Sequence, residues 1–441
     1  MSGRTLKLAG ALLLSCCTVV TASLAPPAFA ARAANIAPAA MLGGINTDFQ
    51  GSGSEAAQAD RAIAQALALH AKVIRTELQW AAVEPNAPGV VEPQALAYSD
   101  RLLSDAAAHH IAVVMMIDVT PCWASSAPSA LLGACVPTDR GEANSYPPAQ
   151  PSDFAAFARM IAARYGNEIT ALEVWNEPDQ INEKYFAGPE KAVRYAALLR
   201  AAYPAIKEVD PHIQVLAGSL VGSNGVFLRL LYKAGIKGFY DGLSVHYYTL
   251  TLAAIRAVHA AQLENGDTTP LWLDEFGWGD CYPRLKIEEE QDCVTPAVQA
   301  QNISNVFRAL RSSGYVAAAT LYDLQDSGGD SFGVLTSNGV RKPSFSALSR
   351  TLASAGTTQT PVTLRVRRTG SSLTASGSGP VGDYMQLEAF AGRTLRYRAT
   401  FTLDRSNRYS ITLPSVLGTH HLRVRVYQWW GGLRRAAQRS V

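Results

Sequence analysis

Between Leu42 and Ala355 the chain repeats one pattern eight times: a short apolar, β-branched run, then a longer stretch with apolar residues near i, i+3 and i+4 spacing. Runs of this kind are apolar on both faces, and a parallel sheet covered by helices is what buries both. The runs expected as strands are Met41 to Asn46, Lys72 to Leu78, Ile111 to Val119, Ile169 to Trp175, Ile213 to Gly218, Gly242 to Tyr247, Leu271 to Phe276 and Ala317 to Leu324. Amphipathic segments between them include Glu55 to His70, Ser152 to Tyr165, Pro189 to Val209 and Pro296 to Gly314. Eight β-α units over this length predict an α/β fold, a (β/α)8 TIM barrel with enlarged loops. A doubly wound open sheet is the competing arrangement. It calls for a glycine-rich phosphate loop after the first strand, and Gly43-Gly44-Ile45-Asn46 does not supply one.

Beyond the stretch Ser354 to Pro361 the periodicity changes to two. Leu364 and Val366 alternate with Arg365 and Arg367, and Leu422, Val424 and Val426 alternate with Arg423 and Arg425. That alternation predicts a small antiparallel, sandwich-like domain over residues 357–441, with arginines on its wet face. The two parts carry opposite charge. Residues 31–356, the expected catalytic barrel, hold 24 Lys and Arg against 33 Asp and Glu, a balance of −9, whereas 357–441 hold 13 Arg, no Lys and 3 acids, a balance of +10. Such a tail suits an acidic polysaccharide or a cell surface, and equally a merely solvated face.

Residues 1–30 read as a secretory signal: Arg4 and Lys7, an apolar run through Val20, and Ala28-Phe29-Ala30 as the cleavage site. The expectation is a secreted or periplasmic protein with no membrane span. In such a compartment nucleic acid is a poorly placed partner for the arginines. Removal of the signal leaves Cys122, Cys135, Cys281 and Cys293, an even count that suggests two disulfides. Each close pair brackets a single loop, so the favoured pairing is Cys122 with Cys135 and Cys281 with Cys293, each stabilising by about 3 kcal/mol on a loop-closure account. No C-x-x-C or paired-His spacing favours zinc, so no metal and no cofactor is expected.

The chemistry gathers at strand ends. In Leu172-Glu173-Val174-Trp175-Asn176-Glu177-Pro178-Asp179, Pro178 cannot continue strand pairing and biases Glu177 toward an extended backbone, which leaves Asn176 and Glu177 at the strand's C-terminal mouth. A second carboxylate lies in Leu271-Trp272-Leu273-Asp274-Glu275-Phe276-Gly277-Trp278. Strand alternation lets only one of Asp274 and Glu275 face the barrel mouth, and it does not say which. A third strand end offers Ser244-Val245-His246-Tyr247-Tyr248, and a fourth offers Val73-Ile74-Arg75-Thr76-Glu77. In a barrel all four converge on the rim where active sites are built.

Over residues 40 to 355 these motifs, in this order, resemble retaining glycoside hydrolases of clan A, closest to families 39 and 5. The resemblance implies Glu177 as acid/base after the fourth strand and Glu275 as nucleophile after the seventh. It implies further that Asn176 binds the substrate 2-OH, that Arg75 and His246 orient or charge-stabilise Glu275, and that Tyr248 belongs to the site. Trp123, in Thr120-Pro121-Cys122-Trp123-Ala124, matches a stretch that lines the cleft, and Trp278 is a further aromatic candidate. Many members place a Trp after the eighth strand. Here Thr320-Leu321-Tyr322-Asp323 has none, and Tyr322 stands in as the platform.

The residue types have a chemical reason of their own. Glycosidic cleavage protonates the leaving oxygen while a second carboxylate attacks the anomeric carbon, and the retaining geometry separates the carboxyls by roughly 5 to 5.5 Å. The nucleophile has to stay ionised and the acid protonated, so their neighbours must differ: Arg75 beside the one, the charge of Glu275 beside the other. The reading is a secreted retaining β-glycosidase acting on a poly- or oligosaccharide. Two alternatives stand beside it: a non-catalytic carbohydrate-binding or cell-surface protein on the same barrel, and a metal-dependent barrel hydrolase with His246 as a ligand.

Overall fold

The computed structural model describes residues 41–47, 54–137, 141–221, 225–248, 253–281, 293–327, 329–354, 362–379, 384–392, 394–402, 408–414, 422–428 and 436–440. The expected signal segment lies outside these residues, as does most of the stretch between the two periodicities. Among the described residues no helix is long and apolar enough to cross a membrane.

All eight apolar runs form strands: β1 (Leu42–Asn46), β2 (Val73–Gln79), β3 (Ala112–Asp118), β4 (Ala171–Val174), β5 (Gln214–Leu220), β6 (Gly242–Tyr247), β7 (Leu271–Phe276) and β8 (Val316–Leu321). They pair in parallel in chain order, and β8 returns to β1 with Ala318 opposite Leu42 and Leu321 opposite Ile45, so the sheet is a closed barrel. Three strands stop earlier than the apolar pattern alone suggests. β3 ends at Asp118, where Val119 turns to φ 62°. β4 ends at Val174 because Trp175 turns into the left-handed region (φ 74°), and β8 ends at Leu321, ahead of Tyr322.

Local chemistry starts the helices where expected. Ser54 accepts from Ala57 N at the head of Glu55–Ala68, and Thr295 accepts from Val298 N at the head of Pro296–Arg311, whose first turn carries Pro296. Strand parity sorts the apolar side chains into two sets. Ile74, Val113, Leu172, Val215, Leu243 and Leu273 pack into the large cluster shared with the helices. Val73, Val114, Ala171, Leu216, Trp272 and Ala318 form a separate cluster, the apolar layer filling the lower barrel. Two residues further along the same strands the inward positions become polar, with Arg75, Glu173, Ser244, Asp274 and Thr320, all at most 2% exposed.

Both expected disulfides are present. Cys122 and Cys135 (Cα–Cα 5.8 Å) clip the loop after β3, and Cys281 and Cys293 (5.3 Å) clip the loop after β7.

The second periodicity folds as expected into antiparallel strands: β9 (Arg365–Thr369), β10 (Ser372–Ser378), β11 (Tyr384–Ala391), β12 (Thr394–Thr402), β13 (Arg408–Leu413), β14 (Leu422–Gln428) and β15 (Ala436–Ser440). They form a three-stranded sheet, β13-β10-β9, and a four-stranded sheet, β12-β11-β14-β15. One apolar cluster joins them, Leu373 and Leu413 from the first sheet meeting Leu387, Val424 and Val426 from the second. On the opposite face of β14, Arg423 and Arg425 lie over the Phe390 ring at 4.9 and 4.6 Å.

Candidate active site

At the C-terminal ends of β2, β4, β6 and β7 the barrel brings together two cations and four carboxyl groups. Arg75, fully buried, is the hub. Its Nη1 donates to Glu275 Oε1 (2.7 Å) and to Asn46 Oδ1 (3.1 Å), its Nη2 to Asn176 Oδ1 (3.2 Å) and its Nε to Glu173 Oε2 (2.8 Å). The guanidinium fork suits this work because its donors diverge in one plane toward several acceptors at once. Every one of these partners is a protein group, so Arg75 orients Glu275 and Asn176 from behind.

Strict alternation predicts that only one of Asp274 and Glu275 faces this cluster, and here the structure corrects the prediction. The β6–β7 register slips between Val245, opposite Leu273, and His246, opposite Glu275, so Asp274 is the extra residue of a bulge. Asp274 continues the inward parity of Trp272, while Glu275 resumes it above the bulge. Arg75 therefore has Glu275 at 2.7 Å and Asp274 at 3.5 Å. Gly277 follows for a steric reason: a Cβ there would stand 2.3 Å from Tyr322 O.

Glu177 is also corrected in its backbone. Its φ is 42°, in the left-handed region, where Pro178 alone suggests an extended residue. Three contacts hold it there: Gln180 N donates to Glu177 O (3.1 Å), Gln180 Nε2 to its Oε2 (2.8 Å), and His246 Nδ1 lies 2.8 Å from its Oε1. His246 is expected to serve Glu275, yet it bonds Glu177 and stands 3.4 Å from Glu275 Oε2. Tyr248 takes up Glu275 instead, its hydroxyl donating to Oε2 at 2.5 Å. Burial first, and then Glu275 itself, push the Tyr248 phenol well up, which keeps it a donor.

The charge states follow from these partners. Burial pushes His246 down, but Glu275 and then the bond to Glu177 outweigh it and raise the imidazole to about 9. Burial pushes the Glu177 carboxyl up, but the His246 bond and charge outweigh it and hold the carboxyl below its ordinary range. In the free enzyme the proton of this pair thus rests on His246, 2.8 Å from the carboxylate expected to deliver it. This differs from the expectation of a protonated Glu177 beside Glu275, because His246 is nearer to Glu177 than Glu275 was expected to be.

Tyr322, directly after β8, stacks edge-on to Tyr248 (5.9 Å) and to Phe332 (6.0 Å), which places it beside the Glu275 contact. Trp123 is half-buried, donates from Nε1 to Glu84 O (2.8 Å) and stands edge-on to Trp80, within none of the carboxylate contacts. Trp278 is corrected as a sugar platform: it is 3% exposed and packs edge-to-face on Phe276 in the core. The sequence reading missed Glu173, Ser244 and Asn46, although a lone acid inside the apolar run of β4 is itself a signal. It also missed Tyr185, whose phenol is pushed up by burial and then, against Lys184, by Glu177 and Glu275. Near Tyr185 in sequence, a cavity of ≈ 380 Å³ is lined by Glu142, Ser145, Tyr146, Asn182, Glu183 and Lys184, and by none of the cluster residues.

One ligand atom each of Glu177, His246 and Glu275 lies within 4.8 Å of the others, and the same holds for Glu173, His246 and Asp274. Either trio has the donor count of a metal site. Arg75 already supplies a fixed positive charge between them, however. The arrangement is better suited to proton transfer and nucleophilic attack by two carboxylates held less than 5 Å apart.

The family profile of Cellulase (glycosyl hydrolase family 5) matches residues 34–337. Among solved structures, a family 39 glycoside hydrolase from Xanthomonas axonopodis pv. citri is 16% identical with a TM-score of 0.52, over 85% of this chain and 91% of that one. A family 39 β-xylosidase from Caulobacter crescentus is 19% identical with a TM-score of 0.53, over 81% and 84%. A β-glucuronidase from Bacteroides uniformis is 13% identical with a TM-score of 0.49, over 92% of this chain, which spans 46% of that protein's length. Comparison with curated protein sequences finds no match.

Proposed function

The chain belongs to the cellulase family, glycosyl hydrolase family 5, and from that premise we propose that it cleaves β-glycosidic bonds by double displacement, with Glu177 as acid/base and Glu275 as nucleophile. The observation that carries this reading is the spacing of the two carboxyls. Their nearest oxygens are no more than 4.8 Å apart, with His246 Nδ1 at 2.8 Å from one and 3.4 Å from the other, well short of the roughly 6.5 Å or more of inversion.

In the first step Glu275 attacks the anomeric carbon, a C–O bond to the enzyme forms, and the glycosidic C–O bond breaks as its oxygen takes a proton from Glu177. That proton comes across the 2.8 Å bond from His246 Nδ1 when sugar covers the pair, because loss of water favours the neutral His–acid pair over the ion pair. In the second step Glu177 takes a proton from water, the oxygen of that water attacks the anomeric carbon, and Glu275 departs as carboxylate. Arg75 and Tyr248 keep the nucleophile aimed, and Asn176, whose Oδ1 accepts from Arg75, meets the 2-OH. Tyr322 supplies the aromatic wall that a Trp provides elsewhere in the clan.

The substrate is a poly- or oligosaccharide met outside the cytoplasm. Two disulfides and the signal-like residues 1–30 support export. The arginine-rich β9–β15 region is a separable module that holds acidic polysaccharide, supported by its +10 balance and the Arg423–Phe390–Arg425 stack.

Two variants test the roles. Glu177→Ala should lose about 10²- to 10⁴-fold on natural glycosides, less on aryl glycosides that need no protonation, and azide should restore turnover as a β-glycosyl azide. A chain ending near Ser354 should keep small-substrate turnover and lose salt-sensitive pull-down on acidic polysaccharide. Full natural-substrate activity in Glu177→Ala ends the assignment, and unchanged pull-down after truncation ends the module reading.

A further inference from the structure

Below the catalytic pair a single hydroxyl touches two carboxyl groups, and that fixes a proton count. Ser244 Oγ is 3.0 Å from Glu173 Oε1 and also bonds Asp274 Oδ2. A hydroxyl has one hydrogen to give. If both acids were ionised, one contact would set lone pair against lone pair, in a layer where Glu173 is 0% and Asp274 2% exposed. One carboxyl therefore carries a proton and donates it to Ser244. Arg75 decides which: its Nε lies 2.8 Å from Glu173 Oε2 and 3.5 Å from Asp274 Oδ2, so Glu173 is the compensated anion.

We infer that Asp274 is a positioning residue that stays a neutral acid through turnover, donating by way of Ser244 to Glu173, and so keeps negative charge away from the far edge of the His246 ring. This rests on the catalytic reading of Glu177 and Glu275. The charge directions agree with the count. Burial and then Glu173 push the Asp274 carboxyl well up, whereas at Glu173 burial is outweighed by Arg75 and the carboxyl is lowered.

The absent charge matters because His246 spans both layers. Its Nδ1 meets Glu177 at 2.8 Å, and its Nε2 faces Asp274 Oδ1 at 3.6 Å, too far for a hydrogen bond. Neither of those facing atoms has a hydrogen-bond partner among the described residues. An anionic Asp274 would draw in the imidazolium and hold its proton, whereas a neutral one leaves that proton free to pass to Glu177. The charged groups facing Asp274 are Glu173 from β4, Arg75 from β2 and His246 from β6. β1 and β8 contribute Asn46 and Thr320, which donate to its backbone carbonyl at 2.8 and 2.6 Å.

Infrared difference spectroscopy on the full chain near neutral pH reads the proton directly, since a protonated carboxyl absorbs apart from the carboxylate bands. Wild type minus Asp274→Asn should contain one such band, shifted in D2O. Asp274→Ala should lower kcat/KM about tenfold, and Asp274→Asn, which copies the neutral acid, should recover most of that loss with the pH limbs in place. Absence of the band overturns the inference. So does a band accompanied by an Asn variant as impaired as the Ala variant, or by an Ala variant with no kinetic defect. The band needs no substrate, so a wild-type chain that shows it but cleaves no glycoside overturns the catalytic reading instead. If Asp274→Ala does not fold, the wild-type and Asn proteins carry the test through the band and the pH limbs.

Discussion

Glu177 and Glu275 at the barrel mouth, and Glu173 and Asp274 one layer below, are two carboxyl pairs served by the same two cations. They differ in how the cations are shared. At the mouth each acid has a partner of its own, Arg75 Nη1 for Glu275 and His246 Nδ1 for Glu177, so both carboxyls can hold charge 8% or less exposed. Below, the two acids compete for Arg75 Nε and one serine hydroxyl, so only one of them is ionised. Carboxyl groups thus differ in the charge they carry according to the number of donors within reach, and a single bulge in β7 sets one member of each pair on adjacent residues.

The sharpest contrast is therefore between neighbours. Glu275→Ala should cost at least about 10⁴-fold in kcat, against about tenfold in kcat/KM for Asp274→Ala. Comparable losses in the two would erase the distinction between layers, and steady-state kinetics on one aryl glycoside measures both.

Arg75 serves both layers, so its removal should strip both. Arg75→Met leaves Glu173 buried without its cation, a situation that typically costs about 3–5 kcal/mol. Urea unfolding of wild type and variant measures it. A loss under about 1 kcal/mol would mean that Arg75 is no more than a surface-like pair.

The smallest effect is a pH dependence confined to the mouth. His246 sits at about 9 in the folded chain against an ordinary 6.5, so its contribution to stability is complete below 6.5 and is lost as pH rises through 9. Glu177 is held below its ordinary 4.5, so its contribution is complete above 4.5 and is lost as pH falls through the lowered value. The difference in melting temperature between wild type and His246→Gln should then shrink steadily from about pH 6.5 to about pH 10. Growth of that difference with pH would show that His246 is neutral in the fold.

Much of the barrel was legible because its signals are local. Eight apolar runs with helical stretches between them and two close cysteine pairs each act over a few residues. What the sequence hid depends on strand register. Alternation allowed one inward acid in Asp274-Glu275, and the bulge against His246 makes it two, which depends on how β6 and β7 align and not on either strand alone. His246 bonds Glu177 rather than Glu275 because Glu177 turns to φ 42°, a conformation that the following proline argues against. Trp278 reads like Trp123 in sequence, yet contact with Phe276 removes it from the surface. Glu173 was passed over inside an apolar run, where the positions of Arg75 on β2 and Ser244 on β6 explain it.

The most direct test of the whole account is to trap the covalent intermediate. An activated 2-deoxy-2-fluoro β-glycoside, of a sugar that the enzyme hydrolyses, should inactivate it with one label per chain, and peptide mapping by mass spectrometry locates the modified residue. The account predicts the ester on Glu275, with Asp274 beside it unmodified. An ester on Asp274 or on Glu177 would contradict it.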